Sequence, residues 1–466
     1  MIKKTIALIP IDNRPVCYDL PKQIVDITDE YELLMPPIEA MGGLVKAADR
    51  QKLIEGLKNL PECDYIVLSL DTLVWGGLIN SRRSSETFDE ILPWLEEIKN
   101  ILKTKKAKIL AFSSVMRISN NNFNEEEKEY WSEWGKKIFD WSYNFHLARA
   151  CNDNEPERKQ NCIMNKIPDE ILNDYLSTRE RNFKVNKIYL EWLKEGIFDF
   201  LVFSKDDCAK YGLNVMEAEE LSDEIKKSKL NAAVKTGADE IPLTLMARIF
   251  SEKKQTHIFP VYTQPESVDK ISKYEDLPVK LSVNSQIELA GCTVAEDIQN
   301  AELVLLVNNF KNEQGELVMN VFEEGFKGDF DVFDKPFAIA DILNANGADN
   351  DFVETLFKKD WKNLVGYAGW NTTGNTLGSV IALSLAYLLS ERPNSENHKK
   401  VLFTRFCDDW AYQANVRAEL KKENSFAPDE KMQPYTDKIN KKLNTKIHGS
   451  YSFPWNRFFE IEVRLG

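Results

Sequence analysis

The sequence predicts an α/β fold with mostly parallel strands. Eight short apolar runs are nearly continuous, which is typical of parallel strands that helices cover on both faces. Helical patterns such as 88–102 lie between these runs, and strands that alternate with helices indicate the α/β class. We favour a core that resembles a (β/α)8 barrel with a helical insertion, over tandem doubly wound domains.

The predicted strands end in polar or glycine-bearing turns. In chain order the strands are 5–11, 65–70, 108–115, 198–203, 232–235, 302–307, 337–340 and 364–368, with two weaker candidates at 32–35 and 257–262. In (β/α)8 barrels and in doubly wound sheets alike, ligands bind beyond the carboxyl ends of the parallel strands. We therefore expect the polar turns to converge on one cleft.

Four segments organise the chain. Residues 1–119 and 196–398 are predicted to be the two parts of the α/β core. Residues 120–195 are predicted to be a helical insertion, for which a lid over the site and an outlying arm stay open. Residues 399–466 are predicted to be an extension with a helix and a strand.

Composition narrows the class of partner. The formal net charge of −14 argues against nucleic acid or an anionic membrane as the main partner, because both would repel the chain. No stretch reaches the roughly 20 apolar residues of a membrane span, and the N-terminal apolar run is too short for a secretion signal. Seven scattered cysteines fit reduced thiols. We expect a cytoplasmic protein that acts on a small molecule or an oligosaccharide; homo-oligomerisation stays open.

Two acidic pairs are the candidate catalytic residues. Asp206 and Asp207 follow one predicted strand, and Asp239 and Glu240 follow the next. Two carboxyl groups in one cleft can split their pKa values, so that one is protonated while the other is ionised. Cleavage of a glycosidic bond requires such a pair. The alternative role of each pair is to begin the helix that follows it.

Further polar residues at the strand ends are candidate substrate-binding groups. Guanidinium groups there would bind a carboxylate, phosphate or sulfate group, or would neutralise the acidic pairs. The segment 369–378 combines an aromatic ring with amides and hydroxyls, which suits polyhydroxylated rings. The candidates are Asp12, Asn13, Arg14, Asp71, Arg82, Arg117, Trp370, Asn371 and Asn375.

The sequence predicts neither an organic cofactor nor a dedicated metal site. The four histidines are scattered and lie away from the strand-end motifs, which disfavours a histidine metal site. A Mg²⁺ or Ca²⁺ site with oxygen ligands from Asp12, Asp71, Asp206 or Asp239 stays open.

Short motifs along nearly the whole chain resemble a bacterial family described as domain of unknown function 4127. The segments that carry the resemblance are 9–15, 70–82, 174–186, 206–207, 237–240 and 369–378. Taken together these motifs are specific to that family. The resemblance implies no activity.

A second, local resemblance concerns the segment 237–240. Gly-Ala-Asp-Glu at these positions is similar to the Gly-Gly-Asp-Glu strand end of β-N-acetylhexosaminidases, which are (β/α)8 barrels. The resemblance implies that Glu240 is the general acid and that Asp239 orients the acetamido group of the substrate. Ala238 stands where those enzymes have a second glycine.

The function predicted from the sequence is that of a carbohydrate-active hydrolase. We expect a glycosidase (EC 3.2.1 class), with N-acetylated amino sugars as one substrate class. Glu240 would be the general acid and Asp239 its partner, while Asp206 and Asp207 would orient the substrate or stabilise charge. Two alternatives stay open: a metal-dependent hydrolase or lyase that acts on a small polar substrate, and a sugar-binding protein without catalysis.

Overall fold

The computed structural model describes residues 3–151, 154–330 and 332–466. The chain divides into two compact units. Unit 1 consists of Met1–Lys4, Arg14–Leu33 and Asp239–Gly466, and unit 2 consists of Thr5–Asn13 and Leu34–Ala238. In the described part of the chain, no helix is long and apolar enough to cross a membrane.

The strands of the described residues form two mainly parallel sheets and two small ribbons. The strands are β1 (Lys4–Ile9), β2 (Tyr31–Leu34), β3 (Tyr65–Ser69), β4 (Lys108–Val115), β5 (Phe200–Lys205), β6 (Ala232–Thr236), β7 (His257–Tyr262), β8 (Thr293–Val294), β9 (Leu303–Asn308), β10 (Gly315–Glu316), β11 (Phe337–Asp341), β12 (Asn344–Ala345), β13 (Leu364–Ala368), β14 (Gly449–Ser452) and β15 (Glu462–Leu465). β10 pairs with β12, and β14 pairs with β15.

Helices separate the strands. They are α1 (Pro15–Val25), α2 (Arg50–Lys58), α3 (Leu70–Trp75), α4 (Leu78–Arg83), α5 (Phe88–Leu102), α6 (Trp131–Ala150), α7 (Asn154–Met164), α8 (Asp169–Lys194), α9 (Leu213–Ser228), α10 (Ile241–Ser251), α11 (Val279–Leu289), α12 (Asn350–Lys358), α13 (Thr373–Leu388), α14 (Ser395–Arg405), α15 (Arg417–Glu423) and α16 (Asp429–Leu443). A π-helix, Phe406–Val416, joins α14 to α15.

The first sheet has the strand order β2-β1-β3-β4-β5-β6. Its pairings from β1 through β6 are parallel, with Leu8 opposite Val67 and Phe112 opposite Val202. All five residues of β3 are buried, as expected for a central parallel strand whose two faces are both covered. Parallel pairing brings the carboxyl ends of β3, β4 and β5 to the same edge of the sheet.

The second sheet lies in unit 1 and has the order β13-β11-β9-β7-β8. All of its pairings are parallel. If its five strands are numbered 1 to 5 along the chain, their order across the sheet, read from β8, is 2-1-3-4-5. The first five strands of the other sheet follow the same order, which occurs in doubly wound flavodoxin-like sheets.

The prediction of an α/β chain with mainly parallel sheets is confirmed. Each of the eight predicted runs overlaps a strand, and the two weaker candidates are the strands β2 and β7. Five of the eight lie in the first sheet and three in the second. The barrel-like core and the four-segment division stay predictions. Residues 1–2, 152–153 and 331 of those segments lie outside the described part.

The predicted insertion after β4 forms helices in unit 2. Trp131, Ile138 and Trp141 of α6 pack with Leu172 and Tyr175 of α8, in an apolar cluster that also contains Met116 and Ile118 after β4. Several polar residues of α8 are also buried. Asn186 donates to the carbonyl of Ser114 at 3.1 Å, and Arg179 donates to that of Met116 at 2.6 Å. α8 is thus fixed to the end of β4; a lid role for the insertion stays a prediction.

Candidate functional site

A group of six charged side chains lies at the carboxyl ends of β4 and β5 in unit 2. We call it the carboxylate cluster; its members are Arg82, Arg117, Glu126, Glu127, Asp206 and Asp207. Arg82 belongs to α4, the next three residues follow β4, and the two aspartates follow β5. β4 and β5 are parallel neighbours, so their ends meet at one edge of the sheet.

Arg117 is the centre of the carboxylate cluster. Its Nη1 donates to Asp206 at 3.2 Å and to Asp207 at 3.0 Å. Its Nε donates to Glu127 at 2.8 Å, and its Nη2 donates to Glu126 at 3.0 Å. One guanidinium group therefore fixes four carboxylates relative to one another.

Arg82 supplies the second positive charge. Its Nη2 lies 3.2 Å from Glu126, its Nε lies 3.3 Å from Glu127, and its Nη1 lies 3.6 Å from Asp206. Arg82 is 2% exposed, whereas the side chains of Asp206 and Asp207 are 18% and 27% exposed. The cluster therefore presents carboxylates to solvent and keeps this guanidinium group behind them.

The excess of carboxylates changes the protonation of Asp207. Burial, followed by the negative charges of Asp206 and Glu126, raises the pKa of Asp207 to about 7, although the neighbouring guanidinium groups oppose the shift. The backbone of Asp207 has a φ of 42°, a left-handed conformation that is uncommon for residues other than glycine. A carboxyl group with such a pKa can give or take a proton near neutral pH.

The other predicted residues of unit 2 lie at the ends of β1 and β3. Asp12 is buried, and the backbone N–H of Asn13 donates to the carbonyl of Gly42 at 3.1 Å. Asp71, in the first turn of α3, accepts a hydrogen bond of 2.7 Å from the backbone N–H of Ser114. Burial raises the pKa of Asp71 to about 6. Asp71 therefore ties the start of α3 to β4.

Arg14 and Asp239 form a buried ion pair in unit 1. Nη2 and Nη1 of Arg14 donate to the two carboxylate oxygens of Asp239 at 2.5 and 3.0 Å. Nδ2 of Asn371 lies 3.5 Å from the same carboxylate, and Glu460 lies 3.7 Å from Arg14. Trp455 places its ring 5.1 Å from the guanidinium carbon of Arg14. Both carboxylate oxygens of Asp239 are thus held by protein groups.

Glu240 is the N-cap residue of α10, and its side chain is fully buried. Its Oε1 accepts a hydrogen bond of 3.0 Å from Nε2 of Gln286. A Cβ atom at Gly378 would lie 2.3 Å from Cγ of Glu240. The carboxyl group thus lies against α13, in space that the missing side chain of Gly378 leaves open.

The segment Gly369–Gly378 begins directly after β13 and includes the first residues of α13. Asn371 has a φ of 67°, and the hydroxyl of Thr372 begins α13 by accepting a hydrogen bond of 3.4 Å from the backbone N–H of Asn375. Trp370 is 4% exposed and meets Phe459 edge to face at 6.2 Å. The predicted turn between strand and helix is thus present, and its aromatic ring is buried.

The structure brings the predicted residues together in two groups. Arg82, Arg117, Asp206 and Asp207 meet in unit 2, and Arg14, Asp239 and Asn371 meet in unit 1. A single cleft that collects all of them stays a prediction. Sequence reasoning missed Glu126 and Glu127, whose only signal is a Glu-Glu-Glu run at 125–127 in the charged segment after β4.

Sequence reasoning also missed a buried pair of acids in unit 1. Nδ2 of Asn308 donates to Asp341 at 2.8 Å and to Asp349 at 3.2 Å. Burial and the charge of Asp349 raise the pKa of Asp341 to about 8. The backbone N–H of Phe326 also donates to Asp349 at 2.8 Å. The pair thus joins the ends of β9 and β11 to the start of α12.

The carboxylates named as metal ligands already have protein partners. Asp206 and Asp239 contact guanidinium groups, and Asp71 accepts from a backbone N–H. A divalent cation at Asp239 would have to displace Arg14, and one at Asp206 would lie next to Arg117 and Arg82, which would repel it. The metal-dependent alternative stays a prediction.

Comparison with known proteins places the chain in a family. Residues 6–464 match the family described as "Protein of unknown function (DUF4127)". The chain belongs to this family. The match covers nearly the whole chain, so the resemblance of the short motifs to this family is confirmed. No curated protein and no solved structure matches the chain.

Proposed function

We propose that this member of the DUF4127 family is a carbohydrate-active hydrolase of the glycosidase type, in which Asp207 donates a proton to the leaving group. The observation that carries the proposal is the contact of Asp206 and Asp207 with one nitrogen of Arg117. That contact places two partly exposed carboxyl groups side by side with unequal surroundings.

The two aspartates meet the chemical requirements of glycosidic cleavage. Asp207 keeps a proton near neutral pH because burial and the charge of Asp206 raise its pKa to about 7. Asp206 contacts Arg117 and Arg82, and both guanidinium groups stabilise its negative charge. Asp207 is thus the proton donor, and Asp206 is the carboxylate that stabilises positive charge on the sugar or orients the group that attacks it.

The spacing of the pair favours retention of configuration. Both oxygens lie within 3.2 Å of the same nitrogen, so they are at most about 6 Å apart. Retaining glycosidases separate their carboxyl groups by about 5–5.5 Å, whereas inverting enzymes leave a wider gap for a water molecule. We therefore expect the product to keep the anomeric configuration of the substrate.

Asp207 takes the role of proton donor that the sequence predicted for Glu240. Glu240 is fully buried and bound to Gln286, and Asp239 is held by Arg14 through both oxygens. A proton donor must reach the leaving oxygen, and Asp207 has the more accessible carboxyl group. The role of Glu240 that the hexosaminidase resemblance implies stays a prediction.

We also infer a finer architecture from the strand orders. Both large sheets follow the order of doubly wound sheets, which favours tandem doubly wound layers over a barrel. In such sheets ligands bind outside the carboxyl ends of the strands. The carboxylate cluster lies at that edge, after β4 and β5.

A panel of chromogenic glycosides tests the proposal. The panel contains α- and β-linked glucosides, galactosides and N-acetylglucosaminides, each assayed with and without a metal chelator. We expect turnover of at least one glycoside by the unmodified chain, unchanged by the chelator. Turnover that the chelator abolishes would favour the metal-dependent alternative. Saturable binding of a sugar without any turnover would favour the sugar-binding alternative.

A further inference from the structure

Five buried polar atoms in unit 1 adjoin the segment Gly369–Gly378 and have no hydrogen-bond partner among the described residues. Each belongs to a side chain that is at most 5% exposed. The atoms are Nε1 of Trp370, Oδ1 of Asn375, Oε1 of Gln286, Oδ1 of Asn346 and the hydroxyl of Tyr367. A buried polar atom without a partner destabilises the folded state, so several of them next to one segment require an explanation.

Three of these residues, Gln286, Asn346 and Tyr367, lie outside the segment and contact it. Nε2 of Gln286 donates to the carbonyl of Gly374 at 3.2 Å, and the backbone N–H of Asn346 donates to the carbonyl of Asn371 at 3.0 Å. A Cβ atom at Gly369 would lie 3.1 Å from the hydroxyl of Tyr367. The residues that carry the five unused atoms thus belong to, or contact, one turn at the carboxyl end of β13.

The same segment is otherwise firmly held. The backbone N–H of Gly374 donates to Glu275 at 2.9 Å, and the hydroxyl of Thr373 donates to that of Ser272 at 2.8 Å. The hydroxyl of Thr376 donates to the carbonyl of Trp370 at 2.9 Å. Trp370 and Asn375 therefore belong to an ordered segment, which keeps their unused atoms in place for a ligand.

We propose that the segment Gly369–Gly378, with Gln286, Asn346 and Tyr367 against it, is a binding site for a neutral polyhydroxylated molecule, that is, a sugar or a polyol. This site does not include the proposed catalytic pair, Asp206 and Asp207. A protein without hydrolase activity could also use it to bind a sugar or a polyol. Ligands of open α/β sheets bind at this end of the strands, which agrees with the location.

The kinds of unused atom select the chemical class of the ligand. The indole N–H of Trp370 can only donate, whereas the amide oxygens of Asn375, Gln286 and Asn346 can only accept. An anion offers acceptors alone and would leave three amide oxygens without a partner; a cation offers donors alone and would leave Trp370 without one. A hydroxyl group both donates and accepts, so several hydroxyls on one neutral molecule can satisfy all of these atoms.

The indole N–H resonance of Trp370 reports directly on the site. The full chain, labelled with ¹⁵N in the tryptophan indoles, is titrated with D-mannitol and with N-acetylglucosamine, neither of which has a glycosidic bond that the proposed activity could cleave. The variant Trp370→Phe assigns the resonance. We expect a saturable shift of the Trp370 resonance with at least one neutral probe, and no shift with inorganic phosphate or methylammonium at the same concentration.

A matched pair of substitutions supplies the control. Trp141 of α6 is also 4% exposed, and its indole N–H likewise has no partner in the described part of the chain. Trp370→Phe should weaken binding of the neutral probe by about three- to tenfold, the value of one hydrogen bond, while Trp141→Phe leaves it unchanged. Circular dichroism and thermal unfolding of each variant verify folding.

The outcomes separate this inference from the proposed function. No shift of the Trp370 resonance with either neutral probe would overturn the binding site and would mean that ordered water alone satisfies these atoms, even if the chain hydrolyses glycosides. A larger shift with phosphate or methylammonium would overturn the assignment of a neutral ligand. A saturable shift in a chain that hydrolyses no glycoside would support the site and contradict the proposed function.

Discussion

Asp207 and Arg117 are joined by a hydrogen bond of 3.0 Å, and the nitrogen that makes it also donates to Asp206 at 3.2 Å. This shared nitrogen holds two adjacent carboxyl groups in fixed positions at the edge of a parallel sheet. Arg117 in turn is held by Glu126 and Glu127. The protonation of Asp207 therefore depends on charges that single substitutions can remove.

The first prediction concerns the charge of Glu126. Its negative charge is one cause of the raised pKa of Asp207, after burial and the charge of Asp206. An acid catalyst loses activity as pH rises through its pKa, so the falling limb of the pH–rate profile should lie near pH 7. Glu126→Gln should move that limb to lower pH, by about 0.5–1 pH unit.

The control for this change is the neighbouring residue. Glu125 is exposed, and Glu125→Gln removes the same formal charge from a side chain that lies outside the carboxylate cluster. The measurement is the pH dependence of kcat for a glycoside that contains the sugar identified by the panel and has a poor leaving group. Equal shifts in both variants would mean that net charge, and not contact with Arg117, sets the profile.

The second prediction concerns Gly378 and Glu240. An added methyl group at Gly378 would lie 2.3 Å from Cγ of Glu240 and 2.6 Å from the hydroxyl of Thr244. Gly378→Ala should therefore lower the free energy of unfolding by about 1–3 kcal/mol, as overpacking does. Combining it with Glu240→Ala should recover part of the loss, because the second change removes the nearest obstructing atom, Cγ of Glu240.

Gly56 provides the matched comparison. It lies in the exposed part of α2, and a Cβ atom there meets nothing within 4 Å. Gly56→Ala should raise the free energy of unfolding by about 0.4–1 kcal/mol, because alanine loses less backbone entropy on folding. Urea unfolding of the variants measures both effects. If Gly378→Ala were as stable as Gly56→Ala, Glu240 could not pack against α13 as described.

The third prediction concerns the pH dependence of stability. The pKa of Asp341 is raised to about 8 by burial and by the charge of Asp349, so the folded chain holds a proton that the unfolded chain loses near pH 4. Stability from this proton is complete at low pH and is lost as pH rises through 8. The free energy of unfolding should fall by up to about 1.4 kcal/mol per pH unit for one proton released.

Asp341→Asn isolates this contribution. The variant cannot release that proton, so its unfolding free energy should change less between about pH 6.5 and 8.5 than that of the unmodified chain. His398 and Glu217 are present in both chains, so their titration cancels from the difference between the two slopes. Equal slopes in urea titrations of both chains would show that Asp341 is ionised throughout.

Much of the fold was predictable because it depends on local pattern. Continuous apolar runs identified the strands, and the rule that ligands bind at the carboxyl ends selected Arg117, Asp206 and Asp207, which do meet. These three lie directly after parallel neighbours, β4 and β5. Sheet geometry thus decides their contact without any knowledge of longer-range packing.

The contacts of Arg14, Gln286 and Glu240 could not be predicted, because they join residues that lie far apart in the sequence. Arg14 and Asp239 are 225 positions apart, and Gln286 reaches the segment Gly369–Gly378 from α11. Acidic residues are almost never fully buried, so the sequence favoured an accessible Glu240. Its burial depends on Gly378, a glycine far along the chain whose missing Cβ leaves the space.

The most direct test of the central claim compares Asp207→Asn with the unmodified chain on glycosides that have good and poor leaving groups. If Asp207 is the proton donor, Asp207→Asn should lower kcat on poor leaving groups by roughly 10²–10⁴-fold and have a much smaller effect on good ones, which need little protonation. Glu240→Gln should leave both rates nearly unchanged. The opposite result, with Asp207→Asn fully active on poor leaving groups and Glu240→Gln inactive on them, would contradict the assignment of Asp207 as the proton donor.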